Sequence, residues 1–420
     1  MADTSKKALF SWALYDWANQ SYFTMIQTFI FASYFAKAVA ENESSGQSLW
    51  SLMIGITGIF IALSAPFLGA IADQGGRRKP WILAFTVLSV ITCCLLWFIT
   101  PGTQMLVPAL VLVGLATFGA EYGLIFYNSM LPDLVSPDKI GRWSGWGWGL
   151  GYAGGLLSLI VALYGFVLSD GSWLGLNADE AENIRATFVI AGVWYGVFSI
   201  PFFVYTPDTP SKGKAAMQAI RNGMSQLKAT IKEVKNYKNI VRFLIARMIY
   251  NDGVVTIFAV GGVYAAGTFN MSEDEIIQFG IGLNITAGIG AFGFAWLDDK
   301  VGSKKAILIS IVGIAIPFIP LLIVESKLAF MIWALIMGIF VGPVQSASRS
   351  LMSRLAPAEI RTQMFGLYAL SGKATAWAAP FLITFLTVTS GNTRIGMSAI
   401  LIMLVIGFAL MTRVSDKSSN

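Results

Sequence analysis

The feature of this sequence that most constrains its fold is a series of twelve apolar runs, each close to 20 residues long. A helix of about 20 residues crosses the ~30 Å hydrocarbon core of a bilayer. The composition agrees, because 55% of the residues are hydrophobic and only 12% are charged, about half the charged share of a soluble domain. The sequence therefore predicts a polytopic helical membrane protein, and it excludes a soluble enzyme, a nucleic-acid-binding protein and a disulfide scaffold. The predicted spans are 9–36, 50–72, 81–100, 105–130, 143–168, 187–205, 240–268, 276–297, 305–324, 327–347, 364–388 and 394–413.

Lysine and arginine are distributed asymmetrically over the predicted loops. The loops on the side of the N-terminus hold most of the 29 basic residues, including Arg349 after span 10. The opposite loops hold only Lys37, Arg185, Lys327 and Arg394. Because positively charged loops remain in the cytoplasm, we predict that both termini are cytoplasmic. The protein is expected in the cell membrane, which is the inner membrane in a Gram-negative host.

The two halves of the chain repeat each other. Tyr15-Asp16 in span 1 corresponds to Tyr250-Asn251-Asp252 in span 7, and the loop that begins at Asp73 corresponds to the loop that begins at Asp299. Six spans per half is an even number, so the halves run parallel, as in many secondary transporters. We therefore expect an all-α fold of two parallel six-helix halves, 1–205 and 240–420, joined by a cytoplasmic linker at 206–239.

Part of the linker has the pattern of an amphipathic helix. Its apolar stripe consists of Met217, Ile220, Met224, Leu227, Ile231 and Val234. Most of the basic residues lie off this stripe, which favours a helix at the membrane surface that clasps the two halves. The alternative is a solvated linker with chance periodicity.

The loop after span 2 reads Gly69-Ala70-Ile71-Ala72-Asp73-Gln74-Gly75-Gly76-Arg77-Arg78-Lys79. It resembles the signature loop of the major facilitator superfamily, although Gln74 stands where a basic residue is usual. The resemblance implies a cytoplasmic gate formed by Gly69, Asp73, Gly76 and Arg77, with Asp299 as its second copy. A glycine permits close helix approach, and an aspartate can accept hydrogen bonds from an opposing helix N-terminus. A topological anchor is the alternative, and it explains only the basic residues.

Four further stretches resemble one branch of that superfamily. They are Tyr15 to Asn19, Tyr250 to Val254, Gly342 to Gln345 with Ser348-Arg349-Ser350, and Phe365 to Tyr368 with Ser371-Gly372-Lys373. Together they look like the vacuole-effluxer-like branch, whose fungal members export amino acids from the vacuole. The resemblance implies the major facilitator fold of twelve helices and, for the substrate, amino-acid efflux.

Five charged residues lie within the predicted spans away from their ends, and each would cost about 2.5–3.5 kcal/mol if it faced lipid at the helix centre. They are Asp16, Glu121, Arg247, Asp252 and Lys373. Uncharged polar candidates accompany them, namely Asn19, Gln20, Asn128, Tyr250, Asn251 and Gln345. For an amino acid, Asp16 or Asp252 would bind the ammonium group, and Lys373 or Arg247 would bind the carboxylate.

Each of these residues also has a purely structural interpretation. Arg247 could anchor the protein at the interface by extending its side chain there. Glu121 and Lys373 could form an ion pair that sets helix packing or gating, and Asp16 could brace span 1. The chain has no histidine, so proton coupling would need a carboxylate, and Asp16, Glu121 and Asp252 are the candidates in the spans.

The sequence thus predicts a secondary active transporter that moves a small polar solute by alternating access, with or without a co- or counter-transported proton. Amino-acid efflux is the first substrate hypothesis, and another polar metabolite or a cationic drug is the second. A receptor, a lipid scramblase or an assembly scaffold on the same fold is an alternative of a different class. No nucleotide-binding loop, metal-ligand cluster or nucleophile motif is present, so we expect that the protein is not an enzyme and has no cofactor or metal. We also expect a monomer in the bilayer.

Overall fold

A computed structural model describes residues 4–169, 174–213, 216–232 and 234–416. These residues are largely helical and contain no β-strand. Ten helical segments among them are long and apolar enough to cross a membrane, and they coincide with ten of the twelve predicted spans. The ten segments are Glu43–Gly75, Lys79–Phe98, Thr103–Leu134, Pro137–Val167, Glu182–Tyr205, Lys238–Phe269, Glu275–Val301, Ser303–Leu321, Lys327–Leu355 and Thr393–Thr412.

The α-helices are numbered here along the chain. They are α1 (Lys6–Ser21), α2 (Ile30–Tyr34), α3 (Glu43–Gly75), α4 (Lys79–Leu95), α5 (Leu106–Leu134), α6 (Ile140–Ala162), α7 (Glu182–Tyr205), α8 (Ala216–Lys232), α9 (Lys238–Phe269), α10 (Glu273–Val301), α11 (Ser303–Leu321), α12 (Lys327–Gly338), α13 (Val341–Leu355), α14 (Arg361–Lys373), α15 (Ala378–Ser390) and α16 (Thr393–Thr412).

The other two predicted spans, 9–36 and 364–388, are helical but interrupted. In span 1, a π-helical segment at Tyr22–Phe29 lies between α1 and the short helix α2. A second π-helical segment, Phe35–Val39, follows α2. In span 11, α14 ends at Lys373 and α15 begins at Ala378. Proline has no N–H and its ring clashes with the carbonyl four residues earlier, so Pro380 explains why the helix is broken just before it.

The chain forms two compact units. The first comprises Met1–Ser64, Gly76–Met130 and Leu150–Lys212, and the second comprises Ala65–Gly75, Leu131–Gly149 and Gly213–Asn420. The segments 65–75 and 131–149, from the first half of the sequence, therefore pack with the second half.

Within the second unit, spans 8 and 10 approach each other closely through glycines. A Cβ atom on Gly290 of α10 would lie 2.7 Å from the carbonyl carbon of Ile339, and a Cβ on Gly342 would lie 2.9 Å from the Cβ of Ala291. Small residues that bring backbones together are the usual means of helix association in a membrane. The two glycines therefore set the distance between these spans.

The linker contains the helix α8, which packs on the second unit through a face of small residues. Ala219, Gly223 and Thr230 are buried, whereas Ile220 is 41% and Met224 43% exposed. The predicted apolar stripe is thus not the face that packs against the protein. The side chains of Met217, Ile231 and Val234 lie outside the described part of the structure, and the position of this helix on the membrane surface stays a prediction.

Gly290 and Gly293 offer a matched test of the packing between spans 8 and 10, because both lie in α10. No atom lies within 4 Å of a Cβ built on Gly293. We expect Gly290→Ala to destabilise the protein by about 1–3 kcal/mol through overpacking, whereas Gly293→Ala leaves stability unchanged or higher. Thermal unfolding of the two variants in detergent checks this, and equal midpoints would show that the close approach at Gly290 is not required.

Candidate functional site

The ten substrate-site candidates divide evenly between the two units. Asp16, Asn19, Gln20, Glu121 and Asn128 belong to the first unit, and Tyr250, Asn251, Asp252, Gln345 and Lys373 belong to the second. Four of them are buried, namely Asp16, Asn19, Tyr250 and Asp252. The other six are half-buried.

In the first unit, Asp16 lies beside a stack of aromatic rings. The Tyr127 hydroxyl donates to its Oδ2 at 3.1 Å, and Asp16 is only 7% exposed. The ring of Tyr127 stacks on Trp12 and on Tyr15, with centroid distances of 4.6 and 4.8 Å. The carboxylate is therefore held in a fixed position by a donor that is itself fixed by packing.

Tyr15 connects this stack to two other spans. Its hydroxyl lies 2.7 Å from Thr86 Oγ1 and 2.8 Å from the hydroxyl of Tyr195. A Cβ on Gly123 would lie 2.7 Å from the same hydroxyl, so a glycine is required opposite it. Thr86, Tyr127 and Tyr195 are not among the residues predicted from the sequence, although hydroxyl-bearing side chains inside apolar runs are a visible signal.

Asn19 follows Asp16 by nearly one helical turn and is 1% exposed. Its Nδ2 has no hydrogen-bond partner among the described residues. Buried amide groups in proteins almost always have a partner. The side chain of Asn19 thus has the capacity to donate to a bound molecule in the neighbourhood of Asp16.

In the second unit, Asp252 and Arg247 of α9 both contact span 11. Asp252 Oδ2 accepts from the backbone N–H of Ala379 at 3.1 Å. Arg247 Nη1 donates to the carbonyl of Tyr368 and to Ser371 Oγ, each at 2.8 Å. The Arg247 guanidinium also lies 3.6 Å from the centroid of the Tyr368 ring, so it is committed to α14.

Tyr250 and Arg349 link other helices of this unit. The Tyr250 hydroxyl lies 2.7 Å from Ser348 Oγ. Arg349 is 2% exposed and donates to the side chain and the carbonyl of Ser144 at 2.9 and 2.7 Å. The assignment of Arg349 to a loop after span 10 is wrong, because α13 continues to Leu355. The Arg349 guanidinium is paired with Ser144 inside the second unit.

The predicted gate residues Gly69 and Asp73 lie against the start of α14. Asp73 accepts from the backbone N–H groups of Thr362 and Gln363 at 3.0 and 2.9 Å. A Cβ on Gly69 would lie 2.8 Å from the backbone nitrogen of Gln363. The carboxylate thus stabilises the positive end of the helix dipole, and the glycine leaves room for that helix.

Asp299 makes the corresponding contact at the start of α6. It accepts from the backbone N–H groups of Gly141 and Arg142 at 2.8 and 3.1 Å. Arg354, which the sequence analysis did not single out, donates to Asp299 at 3.2 Å and to Asp298 at 2.6 Å. The repeat found in the sequence therefore places two aspartates in the same capping role.

The remaining residues of the first loop have different environments. Gly76 has a φ of +88°, a backbone conformation that favours glycine. Arg77 is exposed. Gln74, which replaces the usual basic residue, donates to Gln226 of α8, and Gln226 donates to Gln363 at 3.4 Å. This substitution therefore connects the linker helix to the residue that Asp73 caps.

Two more aspartates cap helices and were not recognised in the sequence. Asp208 accepts from the backbone N–H groups of Arg78 and Lys79 at the start of α4, at 2.9 and 3.3 Å. Asp416 accepts from the backbone N–H of Lys304 at the start of α11, at 2.8 Å. Both lie just after the last helix of a repeat, so the repeat extends to these caps.

No group of three or more His, Cys, Asp or Glu side chains among the described residues could hold a metal ion. A cavity of about 560 Å³ in the first unit lies away from the candidates. It is lined by apolar side chains, including Trp97, Phe166 and Trp194. An apolar lining suits lipid tails better than a polar solute, and none of the ten substrate-site candidates lines this cavity.

Comparison with protein families and curated proteins identifies clear similarity. A family model described as vacuole effluxer Atg22 like matches residues 37–420. The uncharacterised MFS-type transporter YxiO of Bacillus subtilis (strain 168) is 27% identical, over 98% of this chain and 95% of that protein. Autophagy-related protein 22 of Yarrowia lipolytica is 23% identical, over 81% of this chain and 71% of that protein.

Solved structures with a similar fold come from the major facilitator superfamily. The proton:xylose symporter XylE superposes with a TM-score of 0.75 at 17% identity, over 98% of this chain and 97% of that chain. FucP in its outward conformation gives 0.74 at 11% identity, over 97% and 98%. The predicted major facilitator fold of twelve transmembrane helices is therefore confirmed.

The cap that Asp73 makes can be tested against Arg77, which lies in the same loop and is exposed. We expect Asp73→Ala to cost about 1–2 kcal/mol, because two backbone N–H groups at the start of α14 lose their acceptor. Arg77→Ala should change stability by less than about 0.5 kcal/mol, as is usual for a surface side chain. The thermal unfolding midpoints of both variants in one detergent measure the difference. Equal midpoints would show that the cap contributes nothing to the fold.

Proposed function

We propose, since this chain belongs to the vacuole effluxer Atg22-like family of the major facilitator superfamily, that it exports amino acids by alternating access. The family makes the chain a multi-pass membrane transporter of a small solute and not an enzyme. We place it in the cell membrane with both termini in the cytoplasm, because the basic residues are concentrated in the loops on that side.

The observation that carries the substrate proposal is the pair of buried carboxylates at equivalent positions of the repeat. Asp16 is 7% and Asp252 is 4% exposed. Each accepts a hydrogen bond from the protein, Asp16 from the Tyr127 hydroxyl and Asp252 from the backbone N–H of Ala379. A carboxylate in such surroundings binds a cationic group strongly. An ammonium group of the solute, or a proton, is the partner that this chemistry favours.

The carboxylate of an amino acid needs a donor of the opposite charge. The guanidinium of Arg247 is committed to Tyr368 and Ser371 of α14, so we assign this role to Lys373, which is half-buried one residue before the break in span 11. Neutral donors and acceptors complete the proposed site. They are Asn19, Gln20, Asn128, Tyr250, Asn251 and Gln345, with Glu121 as a further candidate for proton coupling.

We propose that the caps formed by Asp73 and Asp299 hold the outward-facing state. Each carboxylate accepts hydrogen bonds from the first turn of a helix, and we propose that this helix moves away in the inward-facing state. Gly69, Gly76 and Arg77 shape and anchor the first of these contacts. The halves 1–205 and 240–420 would then rock about the linker, and we propose that the protein does so as a monomer.

Counterflow in proteoliposomes tests this function directly. Vesicles preloaded with unlabelled amino acids should accumulate a labelled amino acid, and Asp252→Asn should abolish the accumulation because the ammonium group loses its counter-charge. Asp16→Asn should reduce it, and an imposed proton gradient separates exchange from proton coupling. The Gly293→Ala variant, whose added Cβ has no atom within 4 Å, serves as the reference for reconstitution.

Absence of counterflow with every amino acid, in folded protein, would contradict amino-acid transport. Sugars, nucleosides and cationic drugs would then be assayed in the same vesicles. Transport that survives neutralisation of both Asp16 and Asp252 would contradict the proposed site. A receptor or scaffold on this fold would show no counterflow with any solute.

A further inference from the structure

Span 11 is interrupted between Lys373 and Ala378, and the backbone groups at this break need partners. An N–H or C=O group left without a partner in the hydrocarbon region costs several kcal/mol. Within the break, the Ala376 N–H donates to the Lys373 carbonyl at 3.3 Å, and the Ala378 N–H donates to the Thr375 carbonyl at 2.7 Å. These turns leave the N–H of Ala379 without an acceptor in span 11.

Asp252 supplies the acceptor for Ala379. Its Oδ2 lies 3.1 Å from that backbone nitrogen, and the next residue, Pro380, has no N–H to satisfy. The Phe381 N–H donates to the Trp377 carbonyl at 3.1 Å, where the regular helix begins. Asp252 therefore completes the first turn of α15 and places a negative charge at the positive end of its dipole.

Arg247 makes the complementary contact on the other side of the break. Its guanidinium donates to the carbonyl of Tyr368 and to Ser371 Oγ in the last two turns of α14. A positive charge near a helix C-terminus is stabilised by the helix dipole. Between the two charges, Thr375 Oγ1 donates to the Met248 carbonyl at 3.0 Å, so α9 also contacts the break itself.

This arrangement is particular to the second half of the chain. At the offset that aligns Asp16 with Asp252, Arg247 corresponds to Ser11. The helix that corresponds to span 11 is α6, which is continuous from Ile140 to Ala162 and has no proline. Asp16 accepts from the hydroxyl of Tyr127. The first half thus has neither the break nor a basic residue at the position of Arg247.

We propose that Arg247 and Asp252 are positioning residues that hold the two half-helices of span 11, and that the junction between them is a hinge that moves during transport. A coupling between solute binding and this hinge rests on the proposed function and has a simple origin. The carboxylate that binds the ammonium group of the solute is the one that caps α15, so a bound cation competes with the Ala379 N–H for the same oxygens. Solute binding at Asp252 then loosens the start of α15.

Hydrogen–deuterium exchange of the full chain in lipid nanodiscs tests the two contacts without any substrate. We expect Asp252→Ala and Arg247→Gln to raise the exchange rate of peptides that cover residues 374–386 by about tenfold, the size expected for loss of a helix cap. Arg247→Lys keeps the positive charge and should recover most of the protection. Peptides from α16 in the same samples report any general loosening of the fold.

Asp16→Ala is the matched control, because it removes the equivalent carboxylate in the other half. It should leave exchange at 374–386 at the wild-type rate. The proposal is overturned if Asp252→Ala leaves this exchange unchanged, if Asp16→Ala raises it equally, or if the wild-type junction already exchanges as fast as an unstructured chain.

A kinetic arm tests the hinge itself. Pro380→Ala restores the missing N–H and removes the ring clash, so α14 and α15 can join as one helix. With the solute that counterflow identifies, we expect turnover to fall while KM is unchanged and the thermal midpoint is equal or higher. Wild-type turnover in Pro380→Ala would overturn the hinge. Failure of amino-acid counterflow alone would overturn the substrate proposal and leave the exchange experiment to decide the contacts at the junction.

Discussion

The helix starts of this protein depend on one constraint, namely that backbone N–H groups in the first turn of a helix need an acceptor from outside that helix. The starts of α4, α6, α11 and α14 each have an aspartate from a distant part of the chain as acceptor. The start of α15, in the middle of a span, has a fifth, Asp252. Asp73 and Asp252 are buried, whereas Asp208, Asp299 and Asp416 are half-buried.

The two capping aspartates of the signature loops show how a repeat in sequence becomes a repeat in contacts. Asp73 and Asp299 each accept from two successive backbone N–H groups, at distances between 2.8 and 3.1 Å. Their surroundings differ, since Asp299 also receives Arg354 whereas Asp73 lies beside Gly69. The same backbone geometry is thus maintained by different side chains, which explains why the second copy of the loop diverges in sequence.

The sequence predicted the number of spans and the equivalence of Asp16 and Asp252, because length and apolar composition define a membrane helix almost without reference to tertiary structure. It did not reveal the caps at Asp208 and Asp416, since these join residues more than one hundred positions apart. Arg349 was misplaced in a loop because its burial depends on Ser144 of another helix. The break in span 11 had a local signal in Pro380, whereas its contacts with Arg247 and Asp252 arise only from packing.

Gln74 has a physical consequence for the contact between the linker helix and α14. A lysine or arginine at this position would carry a charge whose interactions weaken as ionic strength rises and change with the charge of nearby lipid headgroups. The amides of Gln74, Gln226 and Gln363 are neutral and hydrogen-bond to one another. This chain therefore has, beside the cap at Asp73, a contact whose strength does not follow the salt concentration or the lipid composition of the leaflet.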